Sequence, residues 1–252
     1  MTIPPAPVHR LVGKIFVADA IRYLPTMADQ SVDVVITDPP YGLNFKYHSY
    51  CDTRENLRDL ISATFSHMRR IARKRVVILC GPTQIHEYPT PDWIGIATWN
   101  TTGSFGKYGY SQWTPILLYG KDRKGFGSID GVLKSDRIAL SGGGGVGFQR
   151  DPIEKEHTCP KPMTIMDAVV NRYADRGDVI LDPFLGSGST GVAALNAGNG
   201  FIGFDIDRSY VDISYRRMNL PNAKDQRPAT VDSNLQQAPD GGSGASTLLG
   251  CG

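Results

Sequence analysis

The chain has 252 residues, 27 of them Lys or Arg and 25 Asp or Glu, which gives a net charge of +2 and a pI of about 8.3. That near balance neither requires nor forbids a nucleic-acid partner, because a local patch matters more than the sum, and no stretch approaches the ~20 apolar residues needed to span a bilayer. The four cysteines, Cys51, Cys80, Cys159 and Cys251, form no CxxC pair and no regular framework, so none is assigned a disulfide and a reduced, cytoplasmic setting is expected.

In chain order, the proline-rich arm of residues 1–13 lacks the apolar run of a signal peptide. Residues 14–18 and 32–37 are expected as short buried strands, followed by Asp19 and Asp38 respectively. Apolar residues recur at helical spacing through 56–73, and 76–80 is the next strand, giving β-α-β order. Residues 94–99 and 115–119 are expected as later strands. From 121 to 156 the charges are scattered, Gly142, Gly143, Gly144 and Gly145 stand in a row and periodicity is weak, so this stretch is expected to be an inserted loop region. A helix over 163–174, a strand over 179–181, a helix from about 189 to 197, a strand over 201–204 ending at Asp205 and a helix over 210–218 complete the pattern. Beyond Pro221 the composition turns to Pro, Gln, Asp, Ser and Gly, and too little apolar surface remains to offset the entropy of ordering the tail. An α/β domain of this size hides about 75% of the surface its unfolded chain would expose.

Two segments sit where such a sheet keeps its chemistry, at the C-terminal tips of buried strands. In Asp182-Pro183-Phe184-Leu185-Gly186-Ser187-Gly188-Ser189-Thr190 the glycines let the backbone approach a ligand before a helix opens, and that helix start offers unpaired N–H groups. Asp205, seventeen to nineteen residues past the glycines at the end of the next strand, is where a carboxylate can accept both hydroxyls of a ribose. A lone Gly-x-Gly is more readily a tight turn with close packing; the following strand and acid reverse that in favour of a nucleotide-like ligand. No lysine follows Gly188, which argues against a phosphate-cradling P-loop and hence against nucleoside triphosphate hydrolysis.

In Asp38-Pro39-Pro40-Tyr41 the two prolines fix φ and lack N–H groups, so the Asp38 carboxylate and the Pro39 carbonyl can both project as acceptors. An exocyclic amino group has two hydrogens to offer them. Tyr41 can lie against the face of an extruded base, a contact worth roughly 1–3 kcal/mol, while extrusion costs a few kcal/mol. By itself the segment is equally a rigid strand-ending turn. Paired with the glycine loop, it points to group transfer onto a nucleobase.

These residues resemble the DNA amino-methyltransferases that use S-adenosylmethionine, in the permuted order called the β group. Asp38 to Tyr41 is similar to the family's D/N/S-PPY motif, Asp182 to Gly188 to its DPFxGSG cofactor motif, and His157-Thr158-Cys159-Pro160-Lys161-Pro162 to the H-x-x-x-K-P segment that precedes it. The resemblance covers residues 14–218. It implies a doubly wound, mostly parallel, seven-stranded-type Rossmann-like methyltransferase sheet with a small inserted target-recognition region. The corresponding divisions are an arm at 1–13, a catalytic half at 14–120, the insertion at 121–156, a cofactor half at 157–218 and a tail at 219–252. It further implies Asp38, Pro39, Pro40 and Tyr41 as the catalytic segment, Asp19 on the cofactor adenine and Asp205 on its ribose. Asp182, Phe184, Gly186, Ser187, Gly188 and Ser189, with Lys161 and Pro162, would hold the methionine end. The implied partner is double-stranded DNA in a bacterial cell or phage-infected host, with a homodimer and a cognate restriction nuclease open as further partners and no membrane. An Asp at the head of the motif is commoner in the adenine enzymes and a Ser in the cytosine ones, so N6 of adenine is expected; N4 of cytosine, an RNA methyltransferase and a non-catalytic DNA-binding regulator are the alternatives. Departures from the family are the short recognition region and the tail.

Other features carry less. Arg69, Arg70, Arg73, Lys74 and Arg75 cluster near a helix end, where a solvated C-cap is as good an account as phosphate contact. Lys107, Tyr108, Tyr110, Lys121, Arg123 and Lys124 mix aromatic and basic side chains near the insertion, as DNA contact or an ordinary exposed loop would. His157 and Cys159 lack the second pair of a zinc site, and no metal is expected. His48, His67 and His86 form no constellation.

Overall fold

The computed structural model describes residues 13–99, 104–106, 109–120, 137–140 and 161–220. Eight strands form one sheet in the order β1-β10-β9-β2-β3-β7-β4-β8. The strands are β1 (Lys14–Val17), β2 (Val32–Thr37), β3 (Ala72–Leu79), β4 (Trp93–Trp99), β7 (Trp113–Gly120), β8 (Arg137–Leu140), β9 (Val179–Asp182) and β10 (Gly200–Asp205), while β5 (Ser104–Gly106) and β6 (Gly109–Ser111) pair separately. Only β7 runs against its sheet neighbours.

The alternation of side chains along the central strands explains why helices cover both faces. In β3, Val77 and Leu79 join one apolar layer with Ile165, Val169 and Ala193, whereas Val76 and Ile78 join the other with Leu57, Ile61 and Met68. The first layer is covered by α3 (Met163–Tyr173), α4 (Ser189–Asn196) and α5 (Arg208–Arg217), and the second by α1 (Ala20–Tyr23) and α2 (Arg54–Ile71). The sheet is therefore doubly wound, as expected. From β2 the chain passes through α2 to β3 on one side, and from β9 through α4 to β10 on the other. Neighbouring β2 and β9 thus flank the point where strand order reverses, which opens a crevice beyond their C-terminal ends.

Three local expectations need correction. Helix α2 stops at Ile71 and β3 begins at once with Ala72, earlier than the apolar spacing alone indicates, because Val32 pairs with Ala72 and the basic run is drawn into the ladder. Residues 137–140, expected within a loop, form β8 by pairing with β4; four residues are too few for periodicity to register. Cys51 is disulfide-bonded, against the expectation of reduced thiols, since sequence spacing does not encode which thiols approach in space. Cys80 is free and buried.

Four of the five cations in the basic cluster are consumed by the fold at the sheet edge opposite the crevice. Arg70 reaches Asp29 and the carbonyls of Leu24 and Met27, Arg73 reaches Asp33, Lys74 reaches Asp175 and Asp178, and buried Arg75 donates to the Tyr173 carbonyl. Structural pairing accounts for these cations without phosphate.

Candidate active site

Four carboxylates stand in a row at the C-terminal edge, one at or just past the tip of each of β1, β10, β9 and β2: Asp19, Asp205, Asp182 and Asp38. All four line one open cleft together with Pro39, Pro40, Tyr41, Lys161, Phe184, Gly186, Ser187 and Ser189. The structure thus brings the Asp38 segment and the glycine loop, well separated in sequence, to the walls of a single cavity. Gly188 and Pro162 are not among the cleft-lining residues; Pro162 caps α3.

The glycine loop is built by two different demands. Gly186 has φ +50° and its N–H donates to Asp205 Oδ2 at 2.8 Å, bracing the loop against β10. Gly188 has φ +81°, and a Cβ there would stand 2.7 Å from Ser214 Oγ and 2.9 Å from Met218 Cε, so only glycine permits both this turn and the approach of α4 to α5. Arg217 donates to the Ser187 carbonyl at 2.8 Å and locks the loop from behind.

The carboxylates differ in what already holds them. Asp19 caps α1 by accepting the Ile21 N–H at 2.9 Å. Asp205 accepts the N–H groups of Gly186 and Asp207, both at 2.8 Å, yet burial raises its carboxyl to about 6. Asp182 is buried and accepts the Thr37 hydroxyl at 2.6 Å and the Phe184 N–H at 3.1 Å, with Thr190 as a third donor; burial again outweighs these bonds and raises it to about 6. Its bond to Thr37 ties the tip of β9 to that of β2, so Asp182 knits together the two halves of the cleft.

At the other wall, the Tyr41 hydroxyl donates to Asp38 Oδ1 at 2.7 Å and accepts from Lys161 Nζ at 2.7 Å, while the same ammonium lies 3.0 Å from Asp38 Oδ2. Burial, and then the Asp38 charge beside it, holds the Tyr41 phenol well above its ordinary value, so it remains a donor. Behind this triangle, burial pushes the Cys80 thiol up to about 12, which keeps it protonated and unsuited to nucleophilic work.

Several contributors carry no motif. Buried Asp52 accepts the N–H groups of Gly42, Leu43 and Phe45 at 2.6, 3.0 and 3.1 Å, folding residues 42–52 back over the cleft. Ser49 then donates to Asp207 at 3.3 Å, so the loop after Tyr41 reaches across to the β10 side. Phe45, Tyr47, Tyr50 and Ile206 add apolar and aromatic lining. A lone Asp eleven residues beyond a tyrosine is no recognisable signal in sequence. His157, Cys159, Lys107, Tyr108, Lys121, Arg123 and Lys124, the arm of residues 1–12 and the tail beyond 220 lie outside the described residues.

Among the described residues, the lining holds five aspartates, counting Asp207, and a single cation, Lys161. A small ligand bearing positive charge beside a nucleoside fits that set: carboxylates on four strand tips, an apolar floor and a tight glycine loop.

Comparison with known proteins agrees with this geometry. The N6/N4 family model described as DNA methylase matches residues 139–216. The Type II methyltransferase M.HpaI of Haemophilus parainfluenzae is 25% identical over 260 residues, which cover 90% of this chain and 80% of that protein. The DNA adenine methyltransferase YhdJ of Escherichia coli is 22% identical, covering 80% of this chain and 81% of its own. Among solved structures, the M1.HpyAVI-SAM complex superposes with a TM-score of 0.62 at 20% identity, over 82% of this chain and 99% of that one. The cytosine-N4-specific PvuII DNA methyltransferase does so with a TM-score of 0.61 at 15% identity, over 83% and 87%. In strand order, in the cleft at its strand tips and in these likenesses, the chain is similar to the N6/N4 DNA amino-methyltransferases.

Proposed function

We propose that the protein transfers a methyl group from S-adenosylmethionine to N6 of an adenine flipped out of double-stranded DNA. The observation that carries this reading is the single cleft lined by both Asp38 and the Gly186 loop. The adenine preference rests on the Asp that heads the Asp38-Pro39-Pro40-Tyr41 segment, and the description of YhdJ as an adenine enzyme agrees with it.

S-adenosylmethionine supplies an electrophilic methyl carbon on a sulfonium, and a lining of five carboxylates suits a cation. Asp205 accepts the ribose hydroxyls, Asp19 faces the adenine, and the Phe184 to Ser189 loop takes the methionine end. An aromatic amine is a poor nucleophile because its lone pair is delocalised into the ring. Asp38 and the Pro39 carbonyl accept its two hydrogens and turn that lone pair toward the methyl group, while the Tyr41 ring supports the base. Pre-aimed acceptors and proximity supply the acceleration, with no covalent enzyme intermediate. The reaction belongs in the cytoplasm of a bacterial or phage-infected cell; among the described residues no helix is long and apolar enough to cross a membrane.

The test incubates wild type and Asp38→Ala with a labelled methyl donor and mixed-sequence DNA, then identifies the labelled nucleoside. N6-methyladenine that disappears with the substitution is expected. N4-methylcytosine alone overturns the adenine assignment, and incorporation indifferent to the substitution removes Asp38 from the mechanism.

A further inference from the structure

Lys161 is the one cation among the described cleft-lining residues, and the groups its ammonium meets belong to the Asp38 segment. It lies 3.0 Å from Asp38 Oδ2 and 2.7 Å from the Tyr41 hydroxyl, which in turn donates to Asp38 Oδ1 at 2.7 Å. The three groups form a closed triangle in which two sides are hydrogen bonds and the third is an ion pair. The lysine and aspartate side chains are 16% and 20% exposed, so water competes weakly for these bonds. The backbone of the same residue belongs to the other wall: its carbonyl accepts the Ser189 hydroxyl at 3.1 Å, at the first residue of α4.

We propose that Lys161 is a positioning residue for methyl transfer, whose ammonium sets the rotamers of Asp38 and Tyr41 while its backbone anchors them to the cofactor loop. The inference rests on the function proposed above and deepens it, because the resemblance implied Lys161 at the methionine end of the cofactor. A tyrosine hydroxyl has one proton, and here it is donated in a hydrogen bond to Asp38; the oxygen's lone pairs accept in turn from Lys161. Without the ammonium, Asp38 retains a single side-chain donor and both side chains regain rotamer freedom. The half-buried carboxylate also loses its counter-ion and becomes free to pair with the cationic cofactor instead of the incoming amine. The Asp38 acceptor atom must meet an amine poised within about 3–3.5 Å of the methyl carbon, and a misplacement of about 1 Å in such a site costs on the order of 100-fold in rate.

The experiment compares wild type, Lys161→Met and Lys161→Arg in three measurements: single-turnover methyl transfer to DNA, cofactor affinity by calorimetry, and the crystal structure of the Met variant. Expected for Lys161→Met are a single-turnover rate lower by about 10- to 100-fold, cofactor affinity within threefold of wild type, and displaced Asp38 and Tyr41 side chains; Lys161→Arg recovers part of the rate. Loss of cofactor affinity in proportion to the rate places Lys161 on the methionine end and overturns the inference, as does an unchanged rate. Should the wild type transfer no methyl group to any DNA, the proposed function falls, and the structure of the Met variant decides by itself: Asp38 and Tyr41 kept in place overturn the positioning role, and displaced side chains uphold it.

Discussion

Asp182→Asn isolates the cost of keeping a charge inside the knot that joins β9 to β2. The carboxyl is 1% exposed and held at about 6 by burial, against an ordinary carboxylate value of about 3.9 in the unfolded chain. The folded state therefore binds this proton more tightly than the unfolded state, so the stability it contributes is present at low pH and is lost as pH rises through about 6. The loss between pH 5 and pH 7.5 is on the order of 1 kcal/mol. Asparagine occupies the same volume, carries no charge at either pH and still accepts from Phe184, while the Thr37 and Thr190 hydroxyls can rotate to suit its amide. Denaturant unfolding of wild type and variant at the two pH values measures the difference, and Asp205 cancels because it is present in both proteins. The wild type should lose on the order of 1 kcal/mol more than the variant on going from pH 5 to pH 7.5. Equal losses would refute the claim that burial governs this carboxylate.

On the proposed function, the carboxyl of Asp205, also raised to about 6 by burial, has to be ionised to accept two ribose hydroxyls. Cofactor affinity measured by calorimetry should fall about fourfold from pH 7.5 to pH 5.5, and Asp205→Asn should bind weakly at both pH values; a wild-type affinity independent of pH contradicts the assignment. Asp52→Ala orphans the N–H groups of Gly42, Leu43 and Phe45. Hydrogen exchange at those three amides should accelerate by about tenfold or more, since bonds to a charged acceptor are worth about 1.5–3 kcal/mol each, with exchange in β2 and β9 unchanged.

How much of this architecture is legible in the sequence follows from where its information lies. The apolar runs at 34–36 and 76–79 mark β2 and β3 because strands buried on both faces favour Val, Ile and Leu. The proline pair after Asp38 and the glycine loop after Asp182 mark strand tips because each imposes a backbone constraint that few sequences meet. Element type and order, the α/β class and the four carboxylate positions are accordingly local properties. Helix α1 and strand β8, at four residues each, are too short to carry a period and arise from capping and from pairing with a neighbour.

The chain by itself determined which residues end at strand tips and which chemistry those residue types can perform. Tertiary structure decided which tips are neighbours, that Asp182 is a buried tie while Asp205 keeps its place on the cleft wall, and that Lys161 turns to Asp38 and Tyr41. The physical reason is range. Hydrophobic period, proline and glycine act over a few residues of backbone, whereas the partner of a carboxylate 145 residues away is chosen by packing, burial and the direction of a side chain, which exist only once the sheet has closed its order.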